Sequence, residues 1–224
     1  MFVGNNILVI APHMDDEILG CGGTIAKYVR NGKEVNVIFC ANRVYDRVFD
    51  EKKFEEEKNS CLEAKKVINY NKAVFLDLPD ERLDTLGVQK LLIPLEKEVV
   101  NFKPEIVLLP HFGDLHQDHR FVHHSALISC RFLSNPTIKA LISYEVISST
   151  EQISSKEHYF IPNWYEDITL ELDYKLTAMK CYERESRQYP HPRSIEGIKV
   201  RAQIRGVECG VNYAEAFCLL KGRM

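Results

Sequence analysis

Short apolar runs alternate with helical patterns over most of this sequence, and this alternation constrains the fold more than any other feature. The runs are too short for helices and rich in branched residues, so they predict buried strands at 7–10, 35–40, 73–78, 106–109 and 140–146. Helical spacing of apolar residues falls between them, at 18–30, 51–69, 88–102 and 120–133. This order predicts an α/β, Rossmann-like fold: a mostly parallel sheet with helices on both faces, joined by right-handed crossovers.

The rest of the chain is less regular. A polar connection at 148–163 is followed by predicted helices at 172–187 and 195–207 and a last strand at 216–220. Pro94 lies inside the helix at 88–102 and predicts that it is bent or split there. With 224 residues, of which 45% are hydrophobic, the chain is long enough for one large core, so residues 1–224 are expected to form a single domain.

Charge and composition exclude several classes of partner. Lys plus Arg number 29 against 32 Asp plus Glu, and the net charge of -3 gives no electrostatic reason to expect nucleic acid or an acidic membrane surface. No apolar stretch approaches the ~20 residues of a membrane span, and the first residues lack the basic start of a signal peptide. The seven cysteines include no C-x-x-C pair, so reduced thiols are expected. We therefore expect a cytoplasmic protein that acts on a small molecule.

Two polar clusters follow predicted strands. His13, Asp15 and Asp16 come directly after the first strand, and residues 111–119, with three histidines and two aspartates, follow the fourth. In a doubly wound sheet of order 3-2-1-4-5 the first and fourth strands are neighbours, and the crevice at their carboxyl ends is the usual ligand site. The fold class therefore predicts that the two clusters converge.

These residue types suit a catalytic metal site. Two imidazoles and one carboxylate, with one position left for water, are a common catalytic zinc set. A bound divalent cation lowers the pKa of its water and polarises a carbonyl oxygen. A carboxylate that is not itself a ligand could then take the water proton, and adjacent Asp15 and Asp16 suit that division of labour. His116, if it is not a metal ligand, could donate a hydrogen bond to a developing oxyanion.

Each of these residues also has a structural interpretation. Asp15 could merely cap the helix that follows, because Asp is favoured at that position and a negative charge suits that end. Glu17 is interpreted as a capping or supporting group rather than a ligand. Gly20, Gly22 and Gly23 do not meet the G-x-G-x-x-G pattern and fall inside the helix, so close packing of the helix on the sheet explains them better than a phosphate loop.

Several motifs carry a family resemblance. The segment His13-Met14-Asp15-Asp16-Glu17, then Gly20-Cys21-Gly22-Gly23-Thr24 and His116-Gln117-Asp118-His119, resembles the LmbE/PIG-L family of zinc-dependent N-acetyl sugar deacetylases. The tail, including Tyr213-Ala214-Glu215-Ala216-Phe217, resembles its bacterial members, such as the bacillithiol-pathway deacetylases. The commonest family form reads Ala-His-Pro-Asp-Asp-Glu; here a proline precedes His13 and Met14 follows it, with the ligand spacing unchanged.

The resemblance implies roles for individual residues. The implied ligands of the metal are His13, Asp16 and His119. Asp15 is implied as general base, His116 as the group that stabilises the oxyanion and returns a proton to the amine, and Asp118 as the group that orients a ligand histidine. The resemblance implies Zn²⁺, although imidazole and carboxylate ligands also accept Fe²⁺ and Mn²⁺.

The substrate-binding residues are less defined. Family members often hold substrate with an arginine after the second strand, and here Arg43 and Arg47 compete for that role. Tyr189 and Arg193 could also reach the substrate, although the neighbouring prolines predict a stiff loop that only shapes the rim. The resemblance further implies a homo-oligomer, because members of the family commonly form assemblies.

The functional hypothesis is a metal-dependent hydrolase that removes an acetyl group from the amine of an N-acetylated amino sugar, an N-acetylglucosamine-type conjugate. The alternative from another class is a non-catalytic nucleotide- or sugar-binding module on the same sheet, which predicts no stoichiometric metal. A metal-dependent phosphoesterase is disfavoured, because no second set of ligands for a bridging metal is evident.

Overall fold

The computed structural model describes residues 3–42 and 50–223. The strands in this part of the chain are β1 (Asn6–Ala11), β2 (Glu34–Asn42), β3 (Lys72–Pro79), β4 (Ile106–Pro110), β5 (Ala140–Tyr144), β6 (Trp164–Asp167) and β7 (Ala214–Gly222). The α-helices are α1 (Asp16–Arg30), α2 (Glu51–Ile68), α3 (Val88–Phe102), α4 (Gln117–Ser129), α5 (Leu172–Lys180) and α6 (Ile195–Cys209). No helix in the described ranges is long and apolar enough to cross a membrane.

The strands form one sheet in the order β3-β2-β1-β4-β5-β7-β6. Strands β1 to β5 are parallel, with Ile7 of β1 opposite Val35 of β2 on one side and Ile106 of β4 on the other. β7 pairs antiparallel with both β5 and β6. The predicted Rossmann-like class and the predicted neighbours β1 and β4 are therefore confirmed, and the carboxyl ends of these two central strands lie side by side.

Helices cover both faces of the sheet, as the run of apolar residues in β1 predicts. Side chains alternate between faces along a strand. Ile7 and Val9 belong to a buried cluster with residues of α1 and α2, whereas Leu8 and Ile10 belong to a second cluster with residues of α3 and α4. Burial on both faces explains why β1 reads as a continuous apolar run rather than an alternating one.

Some predicted boundaries are wrong. The helix predicted at 172–187 ends at Lys180, and turns follow it. In these turns the Tyr182 side chain is buried, and its hydroxyl donates to Glu17 Oε1 at 2.6 Å. The helix predicted at 120–133 begins earlier, at Gln117, and ends at Ser129. α3 runs from Val88 to Phe102 through Pro94 and is not split there. The short strand β6 was not predicted, and β7 extends beyond 216–220 in both directions.

Close packing of α1 on the sheet explains Gly20. A Cβ placed there would lie 2.2 Å from Cδ2 of Tyr144, whose ring is fully buried and whose hydroxyl donates to Ile10 O at 2.9 Å. The ring cannot move aside without breaking that hydrogen bond. The gain in helix propensity from Gly to Ala is about 1 kcal/mol, whereas overpacking a core costs about 1–3 kcal/mol or more.

We therefore expect Gly20→Ala to lower the free energy of unfolding by up to roughly 2 kcal/mol net. The measurement is the urea concentration at the midpoint of unfolding, compared between wild type and variant with equal m-values. Gly222→Ala is the matched control, because a Cβ at Gly222 would meet its nearest atom at 3.7 Å, an ordinary contact, and should leave the midpoint unchanged. Equal midpoints for both variants would show that α1 does not depend on this close approach.

Candidate active site

The turn between β1 and α1 presents three polar side chains that are almost completely buried, His13, Asp15 and Asp16. The backbone N–H of His13 donates to Asp16 Oδ2 at 2.9 Å, which closes the turn. Asp15 occupies the N-cap position of α1 with φ 116°, a strained conformation for a residue with a side chain, and its side chain makes no capping hydrogen bond. Glu17 accepts from the Asp15 N–H at 3.0 Å, so the capping role lies with Glu17 and the Asp15 carboxylate is directed elsewhere.

The second cluster is organised by the start of α4. His116 is the N-cap residue, and its Nδ1 accepts from the Asp118 N–H at 3.2 Å. Because α4 begins at Gln117, Asp118 and His119 both lie in its first turn, at the carboxyl end of β4. Both side chains are buried. The earlier start of this helix thus places His119 in its first turn, at the site.

The two clusters meet as the fold class predicted. His13 Nδ1 lies 3.2 Å from Asp16 Oδ2, and His119 Nε2 lies 3.3 Å from each of these atoms. Bonds of about 2.0–2.1 Å from a tetrahedral zinc would space its ligand atoms about 3.3 Å apart, so the spacing fits one ion. Asp16 Oδ1 is buried and has no hydrogen-bond partner among the residues that the structure describes. Two imidazole nitrogens and a carboxylate are also a donor set that Zn²⁺, Fe²⁺ and Mn²⁺ accept.

Carboxylates face the outer nitrogens of both histidines. Asp118 Oδ2 and Asp80 Oδ1 lie 3.2 Å and 2.9 Å from His13 Nε2, and Asp114 Oδ2 lies 3.2 Å from His119 Nδ1. Such partners fix the orientation of metal-binding histidines and raise their basicity. Asp118 is one of these partners, and its orienting role stays a prediction. Asp80 and Asp114 were not predicted, although Asp80 directly follows β3 and Asp114 lies within the second cluster.

The electrostatics favour positive charge at the centre of the cluster. Burial lowers the pKa of a histidine, but Asp16 and Asp114 outweigh it and raise the pKa of His119 to about 9. For His116 the balance is reversed: burial, with repulsion from His13 and His119, outweighs the nearby carboxylates and lowers its pKa to about 4. His116 is therefore neutral near pH 7, and because its Nδ1 accepts a hydrogen bond, its proton lies on Nε2.

Arg193 reaches the candidate base. Its Nη1 lies 3.2 Å from Asp15 Oδ2 and 2.6 Å from Glu185 Oε2, and its Nε donates to Ser148 Oγ at 2.7 Å. Tyr189 is 63% exposed. The substrate-binding roles of both residues stay predictions. The substrate-binding roles of Arg43 and Arg47 also stay predictions, because both residues lie outside the described ranges.

His123, one turn after His119 on α4, makes stability depend on pH. Its Nδ1 donates to Pro110 O at 2.7 Å, and burial, with the charges of His111 and His124, lowers its pKa from 6.5 to about 4. Between these values the unfolded chain binds more protons than the folded one. His123 is therefore expected to remove stability as pH falls from 6.5 to 4, on the order of 3 kcal/mol in total.

The measurement is the free energy of unfolding across that pH range in wild type and in His123→Asn. The asparagine amide can still donate to Pro110 O but does not titrate, so we expect a shallower pH dependence in the variant. His124→Asn, an exposed neighbour on the same helix, is the control and should keep most of the wild-type slope, because burial is the largest cause of the lowered His123 pKa. Parallel curves for wild type and His123→Asn would contradict the assignment.

The fold and site together define a class of protein: a Rossmann-like α/β protein with a histidine and aspartate cluster at the carboxyl ends of β1 and β4. A sequence profile described as PIG-L, GlcNAc-PI de-N-acetylase, matches residues 8–129, more than half of the chain. The chain belongs to the PIG-L family, which confirms the predicted resemblance.

Two curated relatives are deacetylases by name. The chain is 29% identical over 185 residues to the uncharacterized deacetylase YaiS of Escherichia coli K12, with 79% of this chain and 90% of YaiS covered. It is 25% identical over 234 residues to the diacetylchitobiose deacetylase of Thermococcus kodakarensis, with 96% and 83% covered. The homologues thus belong to a family of N-acetyl sugar deacetylases.

Among solved structures, the chain is similar to GalB, the 4-carboxy-2-hydroxymuconate hydratase of Pseudomonas putida KT2440. The TM-score is 0.77 at 20% identity, with 97% of each chain covered. A likeness at this identity shows the fold alone. Because the same fold carries a hydratase, the reaction has to be argued from the side chains of the site.

Proposed function

We propose that residues 1–224 act as a metal-dependent hydrolase that removes the acetyl group from the amine of an N-acetylated amino sugar, with an N-acetylglucosamine-type conjugate as substrate. The observation that carries the proposal is the convergence of His13, Asp16 and His119 within 4.8 Å, beside buried Asp15. The diacetylchitobiose deacetylase of T. kodakarensis supports the substrate class, because its name states an N-acetylated sugar.

His13, Asp16 and His119 would hold the metal, with zinc as the expected ion and Fe²⁺ or Mn²⁺ as alternatives. When bound, a divalent cation supplies two effects: it lowers the pKa of a water molecule and polarises the carbonyl oxygen of an amide. Asp118 and Asp80 orient His13, and Asp114 orients His119 through its other ring nitrogen.

Asp15 acts as the general base. It neighbours the metal ligand Asp16 in sequence, is fully buried, and is held in a strained backbone conformation that capping of α1 does not require. Its carboxylate takes a proton from the water that attacks the amide carbonyl. Arg193, in contact with Asp15 Oδ2, fixes the orientation of the carboxylate.

His116 supplies the donor for the tetrahedral oxyanion. The ring is neutral near pH 7 and carries its proton on Nε2, so it can donate a hydrogen bond to a developing negative charge. Its ring centroid lies 4.8 Å from that of His13 and 4.9 Å from that of His119, so the ring is adjacent to both proposed histidine ligands. The proton that Asp15 accepts is returned to the amine when the C–N bond breaks, which balances the reaction.

A screen for liberated acetate tests the proposal. The metal-reconstituted protein is incubated with a panel of N-acetylglucosamine conjugates, beside a chelated sample. We expect acetate from at least one conjugate and none from the chelated protein. No acetate from any N-acylated amine, or affinity for a sugar that chelation leaves unchanged, would favour the non-catalytic binding module. A cytoplasmic location and a homo-oligomeric state stay predictions from the sequence.

A further inference from the structure

Helix α1, which begins with Asp16, is broken in its middle. Cys21 has φ -146° and ψ 20°, far from helical values, so the helix consists of a first segment, residues 16–20, and a longer second segment. In an unbroken α-helix the Gly23 N–H would donate to Leu19 O, and the Thr24 N–H to the carbonyl of Gly20. The break displaces these groups in a fully buried part of the molecule, where each needs a partner.

A buried ion pair serves the groups on both sides of the break. Glu215, from β7, accepts from the Gly23 N–H at 2.9 Å and from the Thr24 N–H at 2.7 Å, and thereby caps the second segment. Lys175, from α5, donates to Leu19 O at 2.9 Å and pairs with Glu215 Oε1 at 2.6 Å. Both charged side chains are at most 5% exposed, so the pair is inserted into the helix rather than placed on its surface.

The first segment carries the candidate chemistry. It begins at the proposed ligand Asp16, and the proposed base Asp15 immediately precedes it. The direction of this segment decides where both carboxylates lie relative to His119, which comes from α4. An angular change at Cys21 would move the carboxylates away from the histidine, and a catalytic geometry tolerates only a fraction of an ångström.

We propose that Lys175 and Glu215 are positioning residues for the metal ligands: the pair holds α1 open at Cys21 and so sets the direction in which Asp15 and Asp16 face the histidines. The inference rests on the proposed function, in that it concerns the same metal site. It extends that function to two residues that touch none of the proposed ligands.

The energetics of buried ion pairs make it possible to distinguish a role in positioning the ligands from a role in stabilising the fold. Removing one partner of a buried ion pair leaves an uncompensated charge and destabilises a protein strongly, whereas replacing both partners with apolar side chains of similar size is often neutral or stabilising. The double variant Lys175→Met/Glu215→Leu therefore keeps the fold. Without the pair, the hydrogen bond from Gly23 N to Leu19 O can form, and α1 is expected to become continuous.

The experiment measures Zn²⁺ affinity by competition with a chromogenic chelator, and stability by urea unfolding of the metal-free protein. Lys27→Met/Glu166→Leu is the matched control, because it removes another lysine–glutamate contact at α1, at 3.1 Å, beyond the break. For Lys175→Met/Glu215→Leu we expect an unchanged or higher urea midpoint and Zn²⁺ affinity lower by roughly 10- to 100-fold, the range seen when the supporting partners of ligands are removed. The control should bind Zn²⁺ like wild type.

Wild-type Zn²⁺ affinity in the folded double variant would overturn the inference. Should that variant fail to fold, Glu215→Gln, which keeps an oxygen acceptor but loses the charge, takes its place: a smaller loss of affinity supports the inference, and no loss overturns it. If wild type itself binds no metal, the proposed function fails. The crystal structure of the double variant then tests separately whether the pair holds α1 open at Cys21. A continuous α1 with Gly23 N on Leu19 O supports the role of the pair, and a break that persists at Cys21 excludes it.

Discussion

Asp15→Asn is expected to bind metal as wild type does and to lose turnover by roughly 10²- to 10⁴-fold, the usual contribution of a general base. Asparagine has the same shape, tolerates positive φ at least as well and caps helices as well as aspartate does. The substitution therefore keeps the shape of Asp15 and an oxygen that can accept from Arg193, but removes the negative charge and with it the ability to take a proton. Measurement of kcat together with bound metal separates the two effects.

The same variant tests the capping interpretation of Asp15. If the residue only capped α1, asparagine would serve equally well and turnover would not change. Asp50→Asn is the matched control, since Asp50 is the N-cap of α2 and its side chain accepts from the Lys53 N–H at 3.1 Å. The control should keep full activity. Full activity in Asp15→Asn would remove this residue from the mechanism.

His119→Ala is expected to lose stoichiometric metal, because it removes one of three proposed ligands. The loss of affinity should exceed the roughly 10- to 100-fold produced by removing a supporting partner. Activity should fall with metal occupancy. The measurements are metal content per chain after dialysis and Zn²⁺ affinity by chelator competition.

His124→Ala provides the control for this prediction. His124 lies on the same helix and is exposed to solvent. The control protein should keep wild-type metal content and activity. Equal metal content in His119→Ala and wild type would show that the cluster of His13, Asp16 and His119 is not the metal site.

The centre of the site was predictable because it depends on local patterns and one topological rule. The apolar run of β1 and the polar turn after it place His13 and Asp16 at a strand end, and the run of β4 does the same for His119. The rule that ligands bind where neighbouring parallel strands end brings the two clusters together. The pattern and the rule predict where the clusters lie, whereas the choice of His13, Asp16 and His119 as ligands came from the family resemblance.

The surroundings of the site were not predictable in the same way. Asp80 contacts His13 because the loop after β3 crosses towards the centre of the sheet, where the Glu81 N–H donates to Asp118 Oδ2 at 2.7 Å. Such contacts between residues distant in sequence leave no periodic signal. The partners Lys175 and Glu215 show the same limit, since they come from elements beyond the regular alternation. The antiparallel pairing of β7, which carries Glu215, had no signature in the strand pattern.

The most direct test of the central claim is a titration of metal-free protein with Zn²⁺ in which acetate release from an N-acetylated amino sugar conjugate is followed. If one ion held by His13, Asp16 and His119 is required for hydrolysis, the rate should be near zero without metal and rise in proportion to added Zn²⁺ up to one equivalent per chain. Full acetate release by the metal-free protein, or none at one equivalent with any conjugate, would contradict the claim.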